Sequence, residues 1–363
     1  LKFKFPYGPT KLQHPVFAGS PEGATAASQF DNLILDAMYN YSWIHANHRQ
    51  NAVARFISDQ VLADLQNLAG GRAPHGKFVH LYLNGLYWGL YLLHEKPNDG
   101  FADEYYGGNK DDYDVIKHNP SPDYTFADGG VTALNNYTAF INATRQNMTN
   151  AANYAAVEAL LDVDDFIDYM IVHYYAGNND WAHNNWYATR NRVVPGAKWH
   201  FHEWDQEHAF PTSDNAYLGD TIGVDYDATE KDDPFAPTEI HQNLIANPEY
   251  RLKFADRVQR LLFNGGLLTP TSAAAVFQAR VAEIDRAIVA ESARWGDNRL
   301  PISVAGSFPY NRTAPYSRSD WVTTMNGIVA DFFPVRTGLV LQQFTARGWL
   351  ASLTAPLMSP FGG

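Results

Sequence analysis

Gly177 to Phe210 reads GNNDWAHNNWYATRNRVVPGAKWHFHEWDQEHAF, and the order of elements within it decides the fold. Asp165 to Tyr175, just upstream, carries apolar residues at helical spacing, and Gly177 stands where a C′ glycine ends a helix. Two strand-like runs follow, Asn185 to Val193 and Lys198 to Asp205, joined through Pro195-Gly196 as a hairpin. At about 3.3 Å per residue the outgoing and returning strands cover similar distances. Asn185 and Asp205 therefore come back to one edge of the ribbon, with Asp180 hanging just upstream of that edge.

Asp180 and Asn185 sit five positions apart in a helix-to-strand loop, the spacing that separates a catalytic base from a metal-binding amide in phosphoryl-transfer loops. A carboxylate beside an amide oxygen holds a hard cation through oxygen ligands, and Mg²⁺ in turn bridges nucleotide phosphates. A second carboxylate can accept a hydroxyl proton. Taken singly, each residue has a plain structural role open to it: Asp180 as a turn former after Asn178-Asn179, Asn185 satisfying loop backbone, Asp205 ending a strand. A rival ligand set is His200, His202 and His208 with Glu203 or Asp205 around zinc. Strand alternation speaks against it, because Asp205 would share the face of Phe201 and Glu203, opposite His200 and His202.

Outward from this stretch, apolar residues at Phe56, Ile57, Val61, Leu62, Leu65 and Leu68 predict a helix ended by Gly70-Gly71. Phe78 to Glu95, FVHLYLNGLYWGLYLLHE, predicts a hairpin about the type I′ pair Asn84-Gly85, with Val79, Leu81 and Leu83 on one face and His80 and Tyr82 on the other. Pro97 to Asp128, rich in Gly, Asp, Asn and Pro, reads as loops around a short element ending at Asp114-Val115-Ile116-Lys117. Helices are expected over Ala151–Leu161, Glu249–Phe263, Ser272–Arg294, Ser319–Phe333 and Arg336–Arg347.

Composition narrows the function classes. A net charge of -12 over 363 residues speaks against a nucleic-acid binder, which needs a basic surface to displace counterions. The absence of cysteine removes disulfides, thiolate zinc sites and cysteine nucleophiles. No apolar run reaches the roughly 18 residues of a membrane span. Asp111, Asp112 and Asp114, and later Asp225, Asp227, Asp232 and Asp233, form acidic loops that are either solvated or hold structural Ca²⁺, without EF-hand spacing. The opening LKFKF is strand-like, without a methionine or a signal-type apolar core, so the chain reads as a mature or trimmed module.

Five stretches spread over the chain carry a resemblance: FVHLYLNGLYWGLYLLHEKPN from Phe78, YYGGNKDDYDVIK from Tyr105, NNDWAHNNWYATR from Asn178, KWHFHEWDQEHAF from Lys198 and ESARWGD from Glu291. Together they resemble the CotH (spore coat protein H) kinase-like family, in its secreted bacterial branch. The resemblance implies an α+β, atypical protein-kinase-like fold. A β-rich N-terminal lobe (1–120, with hairpin 78–95) would precede a mainly helical C-terminal lobe (121–363) carrying the catalytic loop and hairpin 177–210. It also implies an ATP- and Mg²⁺- or Mn²⁺-dependent phosphotransferase acting on Ser/Thr hydroxyls of a secreted or spore-coat-type protein, itself extracytoplasmic. Its partners would be a nucleotide and a protein substrate, and it would act as a monomer or as a module of a larger secreted protein.

Carried over by residue, Asp180 is the base, Asn185 a metal ligand and Asp205 the principal metal carboxylate. Glu207 stands where many relatives have the second Asp of WDxD. Glu95 and Lys117 match positions around the nucleotide. The chain has no GxGxxG loop, and in LILDAMYNYSW Asp36 replaces a basic residue of the related pattern. A catalytically inactive binding or adhesion module is therefore the alternative, in keeping with 21 Tyr, 21 Phe and 9 Trp. A glycan hydrolase using Glu203 with Asp205, or Asp180 with Asp205, is a third reading.

Overall fold

The computed structural model describes residues 1, 4–5, 8–117, 125–212, 216–217, 220–306 and 310–350. They form an α+β molecule of twelve α-helices and several small antiparallel sheets. Its axis is the helix Val163–Ala176, in which every residue but Asp164 and Asp165 is buried. A helix apolar all round has no solvent face to offer. It lies beneath a four-stranded sheet, with Phe166 and Tyr169 against Phe201 at ring separations of 5.2 and 5.9 Å.

That sheet runs in the order His200–Glu203, Trp186–Asn191, Tyr113–Lys117, Thr125–Asp128, all antiparallel. The predicted ribbon is present, with Trp186 opposite Glu203. Its other edge pairs with the strand ending at Lys117, Tyr187 lying opposite Lys117. The sheet that bears the site thus takes strands from both sides of the expected lobe boundary. The boundary itself, at 120/121, lies outside the described residues.

The Asn84-Gly85 hairpin forms from Gly76–Leu83 and Leu86–His94, with φ of 51° and 80° at the two turn residues as a type I′ turn requires. Ile34–Asp36 adds a third strand beside Leu86–His94. The expected core face is not the observed one. Val79 and Leu81 are only half-buried and Leu83 is exposed, while Leu90 and Leu92 of the returning strand enter the core. The pairing slips between Leu81 and Tyr82, and residues 82–86 at the tip are exposed. The ESARWGD stretch clamps this hairpin: Leu90 N donates to Glu291 Oε2 (2.7 Å) and Trp295 Nε1 to the Trp88 carbonyl (2.7 Å). Gly89 permits the close approach, since a Cβ there would lie 3.0 Å from Trp295 Nε1.

Three expectations change. Asp99–Tyr106, read as loop, is a helix; Asn98 Oδ1 accepts from Phe101 N (3.1 Å), so the turn-forming residues there are cap chemistry. Ser272–Arg294 divides into Pro270–Ile284 and Ile288–Trp295, and the break redirects the second helix onto the hairpin. Gly130–Thr144 and Pro237–Leu244 are helices that the spacing did not single out. Among the described residues no helix is long and apolar enough to cross a membrane.

Helices Ser58–Ala69 and Pro270–Ile284 are joined by a fully buried fork, Arg280 Nε to Asp64 Oδ2 (2.6 Å) and Nη2 to Oδ1 (2.7 Å), while Arg280 Nη1 reaches the Gly76 carbonyl (3.0 Å). Removing Asp64 takes away both bonds of the fork and leaves the buried guanidinium with Glu283 Oε2 (2.7 Å) as its one ion-pair partner among the described residues. Asp64→Ala should cost about 3–5 kcal/mol in denaturant unfolding; a loss under about 1 kcal/mol, the range of exposed pairs, would contradict a buried role.

Candidate active site

The helix that carries the site ends as its sequence predicts. Gly177 has φ 64° and its N–H bonds the His173 carbonyl. The carbonyls of Tyr174 and Tyr175 accept from Nη2 and Nε of the buried Arg336 at 2.6 and 2.8 Å, a cation at the negative end of the helix. A Cβ on residue 177 would lie 3.1 Å from Arg336 Nη2, so glycine serves both the backbone angle and the packing.

From this fixed end the chain enters the loop 177–185. Asp180 N donates to Asn178 Oδ1 (2.8 Å), so the Asx turn here is made by the side chain of Asn178, not of Asp180. The loop does more than turn. Asn185 Nδ2 donates to Asp180 Oδ2 (3.1 Å) and to the Asp205 carbonyl (3.0 Å), so one amide joins the loop to the far end of the ribbon. Gln206 completes the closure, giving Nε2 to the Asn185 carbonyl (2.7 Å) and accepting from Asn178 Nδ2 at Oε1 (2.7 Å). With Nδ2 of Asn185 committed to acceptors, its oxygen is left as the atom suited to a cation.

Asp180, Asn185 and Asp205 are thus brought together, and Glu207 joins them. Glu207 accepts from Asn40 Nδ2 through Oε1, while its Oε2 is buried without a hydrogen-bond partner among the described residues. Asp205 and Glu207 line a cavity of about 150 Å³ with Asp36, Asn40, Tyr41, Arg55 and Asp59. Asp205 lies past the end of its strand with φ 59°, so the alternation expected to place it with Phe201 and Glu203 does not extend to it.

The other residues singled out lie elsewhere or do other work. Glu95 is buried away from this cavity, its carboxylate taken by His75 Nδ1 (3.0 Å) and the Tyr105 hydroxyl (2.9 Å). Lys117 extends over the rings of Tyr187 and Trp204, 5.6 and 5.4 Å from their centroids, and burial lowers its pKa against the attraction of Asp205. The histidine set disperses. His200 Nδ1 meets Asp165 Oδ2 (2.9 Å), and His202 is held by Thr189 and the Arg72 carbonyl. Among the described residues the three candidate ligands that converge are Asp180, Glu207 and His208, with ligand atoms within 4.8 Å of one another. Asp114, read as part of an acidic loop, is fully buried and bonded by Arg192 Nε and Asn136 Nδ2, both at 2.7 Å.

Electrostatics mark the cluster as short of positive charge. Burial raises Asp205, with Asp36 and Asp180 adding to the rise while the neighbouring Glu207 carboxyl and the charge of Lys117 oppose it. Burial and then Asp205 push Glu207 well above the usual carboxylate range. Burial takes Asp59 to about 6 and holds Glu203 well up beside it. Burial also lowers His208 to about 4, leaving a neutral imidazole. Crowded carboxylates that keep their protons, with one buried oxygen unpartnered, are what a divalent cation would relieve. The donor set fits such an ion.

Sequence reasoning missed Asp59, Arg55, Tyr41 and Gln206. Asp59 sits in the first turn of its helix, where an acidic residue is already favoured by the dipole, so nothing marks it out. Gln206, between two acidic residues of the motif, shows its bracing role only in three dimensions.

A family model described as CotH kinase protein matches residues 17–329, a span that holds all of these side chains. No curated protein matches the chain.

The raised pKa of Asp59 has a definite sign. Its proton is held in the folded state up to about 6 against an ordinary 3.8, so its contribution is complete below that ordinary value and lost as pH rises through about 6. In metal-free protein the denaturant midpoint should fall from about pH 4 to about pH 7, and fall less in Asp59→Asn. Equal slopes for the two proteins would show that Asp59 titrates normally.

Proposed function

The chain belongs to the CotH kinase protein family and is kinase-like, and from that premise we propose that it is a phosphotransferase using ATP and Mg²⁺ or Mn²⁺ to modify Ser/Thr hydroxyls of a secreted or spore-coat-type protein. One observation carries the reading: the Asn185 amide bonds both the Asp180 carboxylate and the backbone of Asp205, joining a loop carboxylate to a ribbon-end carboxylate.

Asp205, Glu207 and the Asn185 oxygen would hold the divalent cation, which when bound supplies positive charge against the phosphoryl group being transferred. Asp180 would accept the proton of the attacking hydroxyl. It is 13 % exposed, so an acceptor side chain can reach it; Asn185 bonds its carboxylate and Asn178 holds its backbone N–H. His183 Nε2, 3.3 Å from Asp180 Oδ1 and 47 % exposed, offers that proton a way to solvent. At about 150 Å³ the cavity is smaller than the roughly 300–1,000 Å³ of a drug-sized site, which suits phosphate groups with the nucleoside outside.

A second reading has its own support. Asp36 lines the same cavity and adds to the charge against Asp205, which favours a non-catalytic module that takes a cation without transferring phosphate.

Transfer of labelled γ-phosphate, to the chain itself and to Ser/Thr-rich acceptor protein, separates the two. Asp180→Asn should lower the transfer rate by about 10²–10⁴ while leaving nucleotide binding nearly intact. Asp205→Ala should abolish both transfer and metal-dependent nucleotide binding. Cation binding with no transfer in the wild type would select the non-catalytic module, and activity undiminished in Asp205→Ala would remove the assignment.

A further inference from the structure

We propose that Arg55 is the phosphate-binding residue of this cavity, presenting its Nε–Nη2 edge to a phosphate group of the polyphosphate substrate; the inference rests on the phosphotransfer reading. Arg55 is 1 % exposed and lines the cavity together with Asp36, Asp59, Asp205 and Glu207. Its Nη1 donates to the carbonyls of Ala209 and Phe210, which fixes the plane of the guanidinium. The Tyr41 ring supports it from the side, 4.4 Å from centroid to Cζ, and the Tyr41 hydroxyl is 3.2 Å from His208 Nδ1, next to Glu207.

What remains of the side chain is unexplained by the fold. Nε and Nη2 are both buried and have no hydrogen-bond partner among the described residues. No carboxylate of the described residues lies within 4.0 Å of the guanidinium, although four of them line the same cavity. A buried cation with two idle donors is costly, and it is retained where something else completes it. The idle atoms are adjacent on one edge of the fork, the edge that grips two oxygens of a phosphate. Carboxylates that attract a divalent cation repel a phosphate chain, so a fixed positive group on the same wall is what lets both enter. A lysine could keep the charge and one carbonyl contact, but not the paired edge.

The probe is inorganic tripolyphosphate with saturating Mn²⁺, titrated calorimetrically into the full chain. Arg55→Lys should bind it at least about tenfold more weakly than the wild type, with unchanged melting temperature and unchanged affinity for Mn²⁺ alone. Tripolyphosphate affinity equal to the wild type's would overturn the proposal. So would loss of Mn²⁺ binding in step with tripolyphosphate, which would make Arg55 only a brace for residues 209–210, and so would a wild type that binds no tripolyphosphate. Asp205→Asn run alongside tests the parent reading separately: Mn²⁺ and tripolyphosphate affinities unchanged there would remove the phosphotransfer site whatever Arg55 does. A wild-type crystal soaked with both probes needs no variant. Phosphate oxygens about 3 Å from Nε and Nη2 are expected, and phosphate bound elsewhere refutes the assignment.

Discussion

Like charges gathered on one cavity wall hold their places only if the backbone beneath them cannot yield, and this constraint organises the whole structure. Asp205, Glu207, Asp36 and Asp59 share a wall, with Asp180 adding its repulsion to Asp205. The backbone that presents them is strained: Ala182, Asn185, Asp205 and Phe210 all have positive φ. Such residues cost on the order of 1–3 kcal/mol each and persist where packing over-determines them. Here the packing is visible. Trp181 and Trp186 are fully buried on either side of the loop, their indole N–H groups bonded to the Tyr169 hydroxyl and the Ala182 carbonyl, each at 3.0 Å.

The rigidity is inherited from farther out. Arg336, from one of the last helices, ties the end of the buried helix to the carbonyls of Val224 and Tyr226 at 2.7 and 2.9 Å as well as to its own last turn. The start of the loop 177–185 is thus set by a residue more than 150 positions away in the chain. The Ile34–Asp36 strand, which brings Asp36 to the cavity, is placed by the long hairpin, which Glu291 and Trp295 hold down in turn. The strand bearing Asp36, the helix start at Asp59 and the ribbon end at Asp205 therefore meet at one small volume, and two distant helices hold their supports in place.

What could be read from the sequence was what local chemistry dictates. Asn84-Gly85 announces its turn, and Gly177 announces its helix end. The ribbon returns Asp205 to Asn185 because equal strand lengths leave no other outcome. What could not be read depends on neighbours remote in sequence. The DVIK strand could not be placed beside Trp186–Asn191, because pairing between distant strands leaves no periodic signature. Val79 and Leu81 carry a clean alternation, yet the slipped register and the exposed tip leave that face half open. Asp114 looked like one more acidic loop residue until Arg192 and Asn136 closed over it. Arg55 lies one residue before a well-predicted apolar run, and its idle donors show only in three dimensions.

Protons now do part of the work that the cavity requires of positive charge. Burial holds Asp205, Glu207, Asp59 and Glu203 protonated to higher pH than free carboxyl groups, and Arg55 is the fixed cation on the wall. A cation entering such a site displaces protons, so its affinity rises with pH through the range in which these groups titrate. Asp36 sharpens the coupling, because it adds one more negative charge acting on Asp205. With a basic side chain there, phosphate could be attracted before the metal. On the proposed reading, with Asp36 an anion would meet net repulsion until metal charge had been added, and the carboxylates and Arg55 would then favour cation and phosphate as a pair over either one alone.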